Sequence, residues 1–210
     1  MTPLMIQETV DKRKNVTRRL AGLAEINKNP DDWESNGWAG SWGGFAFNHK
    51  TKNATRIIKP RYHAGEVVYI KEAWAAIKLI DSVKPRDILP CNYYPIWYKG
   101  VPDWQQHGIN PWPGGDRGKW RSPLFLPERF ARYFIRMGEP RLERLQEITE
   151  DDAKAEGLRG KDIATQDILS DKPMVYTYAH LWDSINPSHP FKNNYWVMVY
   201  PFELVEKQGR

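Results

Sequence analysis

Lys12, Arg13, Lys14, Arg18 and Arg19 crowd one short stretch near the amino terminus, and Arg129, Arg132, Arg136, Arg141 and Arg144 punctuate a second stretch. Cations gathered this densely suit a surface that faces phosphate. They suit equally a solvated face neutralised by Glu139, Glu143 and Glu147. Glu72 follows an apolar run and has two readings, an ion pair with Arg18 or Arg19 or a place on the wall of a cleft. Trp38, Trp42, Trp104 and Trp112 are flanked by Gly or Pro and could stack on bases, whereas the other tryptophans read as core. The histidines His49, His63, His107, His180 and His189 stand near no obvious partner. Cys91 is the single cysteine, so no internal disulfide can form, and no Cys/His cluster has zinc spacing. No structural metal and no cofactor is expected. A glycine-rich phosphate loop, G-x-S-x-G and H-E-x-x-H are all missing, which removes the common enzyme signatures.

The elements that must carry these residues can be read coarsely. Residues 5–26 set Met5, Ile6, Val10, Val16, Leu20, Leu23 and Ile26 among charges, a pattern compatible with a helix and then a turn. Residues 27–60 space aromatics with Gly and Ser, as in an aromatic hairpin or ordered loop. Gly65-Glu66 then feeds the run Val67 to Trp74, which reads as a buried strand. Residues 81–123 are rich in proline, glycine and tryptophan and read as a long structured insertion. Glu128 to Ala131 suits a helical turn after Pro127. Residues 132–148 read as strand, kink at Gly138-Glu139-Pro140, and strand. Thr149 with Glu150, Asp151 and Asp152 opens a helix that Gly157 stops. Tyr178, Leu181, Trp182 and Ile185 share a helix face within 175–186, and Tyr195 to Val205 alternates as a closing strand.

The chain has 210 residues, 40% of them hydrophobic and 27% charged, with 10 Trp, 10 Tyr and 7 Phe. That is enough apolar mass for one folded domain over 1–210 with insertions at 27–60 and 81–123. A formal net charge of +5 is weak evidence for a nucleic-acid partner by itself. No apolar run approaches the roughly 20 residues that span a bilayer, and the first residues are too charged for a signal peptide, so a cytoplasmic protein without membrane partners is expected. With the insertions set aside, the expected fold is α+β, a small β-barrel with flanking helices.

An ordered series of segments adds to this reading. They are Lys14-Asn15-Val16-Thr17-Arg18-Arg19; Gly65-Glu66 leading to Tyr69-Ile70-Lys71-Glu72-Ala73-Trp74; Lys119-Trp120-Arg121-Ser122-Pro123-Leu124-Phe125-Leu126-Pro127; Arg141 to Gln146 leading to Asp151-Asp152-Ala153-Lys154-Ala155-Glu156-Gly157; and Trp182-Asp183-Ser184-Ile185-Asn186 before Trp196-Val197-Met198-Val199. In this order they resemble the ASCH-domain family of the PUA-like superfamily, in its larger bacteriophage and prophage versions. The resemblance covers residues 12–20, 62–75 and 119–204. Asn15 departs from the family's usual Thr, Ala131 from a frequent Ser, and Tyr195 follows Asn194 where Pro is usual.

The resemblance implies a small PUA-like barrel whose cleft accepts RNA or a nucleobase. Small bacterial members of the wider family hydrolyse the acyl amide of N4-acetylcytidine with a Lys-x-x-Thr pair and a later Glu, which map here to Lys14, Thr17 and Glu156. A lysine near Arg13 and Arg18 in a partly dry cleft loses proton affinity and can serve as base. Thr17 would then be nucleophile or water holder, and Glu156 would carry the proton to the leaving nitrogen. Arg18, Arg19, Glu72, Trp74, Arg132 and Arg144 are the expected contacts to substrate or nucleic acid. The first expectation is recognition of RNA, single-stranded nucleic acid or a modified nucleobase. An amidohydrolase acting on N4-acyl cytidine is second, and a ribonuclease, with no well-placed histidine, is third.

Overall fold

Val16 and Thr17 are β-branched and favour extended backbone over helix, and in the computed structural model the basic stretch is strand β1, Val16–Arg19. The structure describes residues 2–38, 44–48, 54–88, 95–101, 116–163 and 170–206. Of the helix and turn expected over 5–26, the helix is α1, Pro3–Val10. The remaining strands are β2 (Trp33–Trp38), β3 (Gly44–Asn48), β4 (Ala54–Ile58), β5 (Val67–Tyr69), β6 (Trp74–Ala75), β7 (Trp97–Tyr98), β8 (Phe134–Met137), β9 (Arg141–Arg144) and β10 (Trp196–Val205). Helices α2 and α3 span Glu150–Ala155 and Pro173–Ile185.

The strands form three sheets. The first has the order β1-β10-β8-β5, with β9 also beside β10; the second is β2-β3-β4 and the third β6-β7. The β1/β10, β9/β10, β2/β3, β3/β4 and β6/β7 pairs are antiparallel. The chain is therefore α+β, mostly antiparallel sheet with few helices, and no closed barrel is present among the described residues. The strand expected from Val67 to Trp74 is split. Val67–Tyr69 joins the first sheet while Trp74–Ala75 pairs with β7. It is also less buried than its apolar sequence suggests, Val67 being exposed, and full burial begins only at Ile70 and Trp74. The kink at Gly138 is present. β8 ends before it, β9 begins after it, and the Gly138 N–H donates to Pro201 O at 2.8 Å.

The chain divides into two compact units, one of residues 1–10, 68–135 and 205–210, the other of residues 11–67 and 136–204. In the first, Trp74, Ala76, Ile88, Tyr98, Leu126, Ala131 and Phe134 form the core. Arg121 is buried there and donates to the carbonyls of Val83, Ile80 and Asp81 at 3.0, 3.0 and 3.2 Å. A loop whose buried carbonyls lack partners would be costly, and this one side chain satisfies three. Gly100 in the same unit has φ +88, and a Cβ there would lie 2.5 Å from Pro3 Cβ. Gly100→Ala should therefore lower stability by about 1–3 kcal/mol, from a left-handed backbone and overpacking together. A urea midpoint unchanged from wild type would show that the turn relaxes freely.

In the second unit, Val16 of β1 and Val197 and Val199 of β10 pack against Leu145, Ile148, Ala153, Met174, Val175, Tyr178 and Trp182. The helix start read from sequence is built as expected, with Thr149 Oγ1 accepting from Asp152 N–H at 3.1 Å. Glu150 fixes α3 by accepting from the Met174 and Val175 N–H groups at 3.2 and 2.9 Å. A carboxylate at a helix start satisfies orphan donors and complements the helix dipole. No helix among the described residues is long and apolar enough to cross a membrane.

Candidate functional site

The sheet register of the second unit explains how charge comes to lie inside it. Arg18 pairs with Val199 on one edge of β10, and Arg141 pairs with the same Val199 on the other edge. Glu143 pairs with Val197, two residues along. Residues in register share a face, so Arg18, Arg141 and Glu143 surround the Val197/Val199 surface that the helices cover. Helix α2 adds Asp152 from its first turn and Glu156 from its C-terminal cap. Gly157, at φ +96, ends the helix one residue later.

Lys14 and Glu156, 142 positions apart in sequence, meet here. Lys14 Nζ donates to Glu156 Oε2 at 2.6 Å, to the Glu156 carbonyl at 2.8 Å and to the Val16 carbonyl at 2.9 Å. An ammonium has three hydrogens, and all three have acceptors. Arg18 lies beside the pair, with Nη1 3.4 Å from Glu156 Oε1 and Nη2 3.4 Å from both Glu143 Oε2 and Asp152 Oδ2. Among the described residues its Nε has no hydrogen-bond partner. The Lys14 and Glu156 side chains keep 5% and 7% exposure while that of Arg18 has none. The pair and Arg18 thus form the buried part of the cluster, which opens to solvent at Glu143, Asp152 and Arg141. The Tyr178 ring lies 6.0 Å from the Arg18 guanidinium.

Burial holds the Lys14 ammonium below the usual lysine range; the charge and hydrogen bond of Glu156 oppose this, and Arg19 and Arg18 reinforce it. Burial and the charge of Glu156 together push the Tyr178 hydroxyl well above its ordinary value. For Asp152, burial acts upward, but hydrogen bonds from Thr149 and the charges of Arg18 and Arg141 outweigh it and hold the carboxyl below the usual aspartate range. A lysine whose proton affinity is lowered can exchange a proton with the carboxylate it contacts at 2.6 Å.

The other expected residues lie elsewhere. Thr17 is one position from Arg18 on a strand, so the alternation of side chains turns it to the opposite face, opposite Tyr200. Among the described residues no hydrogen bond joins it to Lys14 or Glu156. The helical spacing that would bring Lys14 and Thr17 together is replaced by strand geometry. Trp74 is 0% exposed in the first unit's core, so its ring cannot receive a base. Glu72 pairs with Arg132 rather than with Arg18 or Arg19, through Arg132 Nε at 3.1 Å and a second contact from Nη2. That guanidinium also lies 4.2 Å from the Tyr98 ring. Arg144 donates to the Pro30 carbonyl at 2.6 Å, pairs with Asp31 and lies over the Trp196 ring. Both arginines are held by contacts within the chain. Trp42, Trp104, Trp112 and the side chain of Trp38 lie outside the described residues.

Arg18 and Arg19, neighbours in one basic run, therefore have different duties. Arg18→Ala should cost about 3–5 kcal/mol, because it leaves Glu156, Glu143 and Asp152 short of a buried counter-charge. Arg19, exposed at the strand end, should change stability by no more than about 0.5 kcal/mol when replaced by Ala. Urea unfolding of the two variants separates these outcomes, and equal losses would contradict the assignment.

Sequence reasoning missed Asp152, Glu143, Arg141 and Tyr178 as members of one cluster. Asp152 was legible only as a helix cap and Tyr178 only as part of an apolar face; the pairing of β1 and β9 on either side of Val199 is what assembles them. Among the described residues no group of three or more His, Cys, Asp or Glu could hold a metal ion. Compared with protein-family models, with curated proteins and with solved structures, the chain finds no match in any of the three, and its functional reading rests on the geometry of Lys14, Glu156 and Arg18.

Proposed function

We propose that the chain is an ASCH-type, PUA-like domain that recognises a modified nucleobase at the Lys14–Glu156 pair. The observation that carries this is the buried 2.6 Å contact between Lys14 Nζ and Glu156 Oε2 in a charge cluster that opens to solvent at Glu143, Asp152 and Arg141. Buried ion pairs are costly to desolvate, and well-packed apolar residues of similar volume often serve stability as well. A donor–acceptor pair that holds its geometry through Val16 and Glu156 carbonyls is suited instead to exchanging those bonds for a base edge, which offers donors and acceptors in a plane. Charged contacts to a nucleobase are specific because the wrong base leaves them unpaired. Calorimetric titration with N4-acetylcytidine should show saturable binding to wild type and none to Lys14→Met; binding that survives Lys14→Met would place recognition elsewhere.

A second reading, hydrolysis of the N4-acyl amide, is favoured by the lowered proton affinity of Lys14. The neutral Lys14 amine takes a proton from a water molecule as its oxygen adds to the acyl carbon. The Glu156 carboxylate takes that proton from the Lys14 ammonium across the 2.6 Å contact and passes it to N4 as the carbon–nitrogen bond breaks, which returns both side chains to their starting forms. The products are the carboxylic acid and cytidine. Water serves as nucleophile in this scheme because Thr17 faces the other side of its strand.

A further inference from the structure

We propose that a pocket next to the buried pair holds the phosphate of a nucleotide, so that the ligand is a nucleotide unit and not a free nucleoside; this rests on the base-recognition reading above. The pocket, of about 690 Å³, lies wholly within the second unit. It falls in the range of roughly 300–1,000 Å³ typical of small-ligand sites. Its walls are the two backbone segments that carry the pair: Arg13 and Asn15 flank Lys14, Ala155 precedes Glu156, and the Asn15 N–H donates to the Ala155 carbonyl at 2.9 Å. A molecule seated against Asn15 and Ala155 touches residues adjoining both members of the pair, which themselves lie outside the lining.

Its charge selects an anion. Arg13, Lys154 and Arg159 come to it from the loop before β1, from α2 and from the segment after α2. Arg13 and Lys154 hold Asp11 and Asp151 in pairs open to solvent, and such pairs are weak in water and easily exchanged for a phosphate. The one acid among the lining residues, Glu150, is occupied by the Met174 and Val175 N–H groups at the start of α3. Among the lining residues the cations Arg13, Lys154 and Arg159 outnumber the single carboxylate, Glu150. Leu158, Ile163 and Met174 give the same pocket an apolar side, which suits the faces of a ribose or base attached to the phosphate. Arginine forks match phosphate oxygens in pairs, so Arg13 and Arg159 are the expected clamp.

The test compares N4-acetylcytidine, its 5′-monophosphate and ribose 5-phosphate by calorimetry on the full chain and on Arg13→Ala/Arg159→Ala, whose circular dichroism and melting confirm folding. The 5′-monophosphate should bind wild type about tenfold more tightly than the nucleoside. In the double variant that advantage should vanish while nucleoside affinity stays unchanged. Equal affinities for nucleoside and nucleotide in wild type would overturn the phosphate site and leave base recognition standing, as would an advantage that persists in the variant. Binding of ribose 5-phosphate to wild type but not to the variant, without binding of either base-bearing ligand, would support the anion site and overturn base recognition. Absence of binding by all three would overturn both.

Discussion

Replacing Glu156 with leucine should destabilise the second unit by about 3–5 kcal/mol, and Lys14→Met should cost a similar amount. Glu156 removal leaves Lys14 and Arg18 buried with one carboxylate fewer, and Lys14 removal leaves the Glu156 carboxylate without its 2.6 Å partner. The penalty in each case is the uncompensated charge, not the worth of the pair. Lys14→Met/Glu156→Leu together should therefore cost clearly less than the two single losses added, since the apolar replacements remove both charges at once. Urea unfolding of the four proteins gives the coupling directly. Additive losses would mean that the two side chains do not depend on one another.

Loss of amide hydrolysis is the second large effect. Under the acid–base scheme, Lys14→Met and Glu156→Gln should each lower kcat by about 10²–10⁴-fold on N4-acetylcytidine, whereas a variant that lost only substrate contacts would mainly raise KM. The pH dependence has a fixed sign. Only neutral Lys14 can act as base, and burial places its pKa below the ordinary 10.5. Activity should accordingly rise with pH and level off at a midpoint below 10.5, instead of following an unperturbed lysine. Glu156 is the principal influence holding that pKa up. Any residual activity of Glu156→Gln should therefore show its midpoint at lower pH than wild type. A midpoint that stays in place, or moves up, would remove Lys14 from the role of base.

Local signals were legible in the sequence where one short segment decides its own structure. Thr149 with its following acids fixes the start of α2, Gly157 fixes its end, and Gly138-Glu139-Pro140 separates β8 from β9. The meeting of Lys14 with Glu156 came from the order of motifs and not from periodicity. What was not legible depends on pairing across distance. The basic run around Arg18 looks like a solvent face, yet strand pairing with β10 turns Arg18 inward and leaves Arg19 outside. The same alternation separates Thr17 from Lys14. Trp74 carries no mark in its own sequence that it will be enclosed by Leu126, Ala131 and Phe134, which lie more than fifty positions away. Arg132 and Arg144 look like phosphate ligands because their acceptors, Glu72 and the Pro30 carbonyl, come from remote segments.

Base recognition at the pair is tested most directly by the side-chain nitrogen of Lys14 itself. With all three ammonium hydrogens held by acceptors, its protons should exchange slowly enough to give a resolved ¹H–¹⁵N signal in uniformly labelled protein near pH 6, identified by its loss in Lys14→Met. A base that engages the pair must replace at least one of those acceptors. Titration with N4-acetylcytidine should move the Lys14 signal progressively to a saturated position. A Lys14 signal that stays fixed through millimolar ligand would contradict recognition at this site.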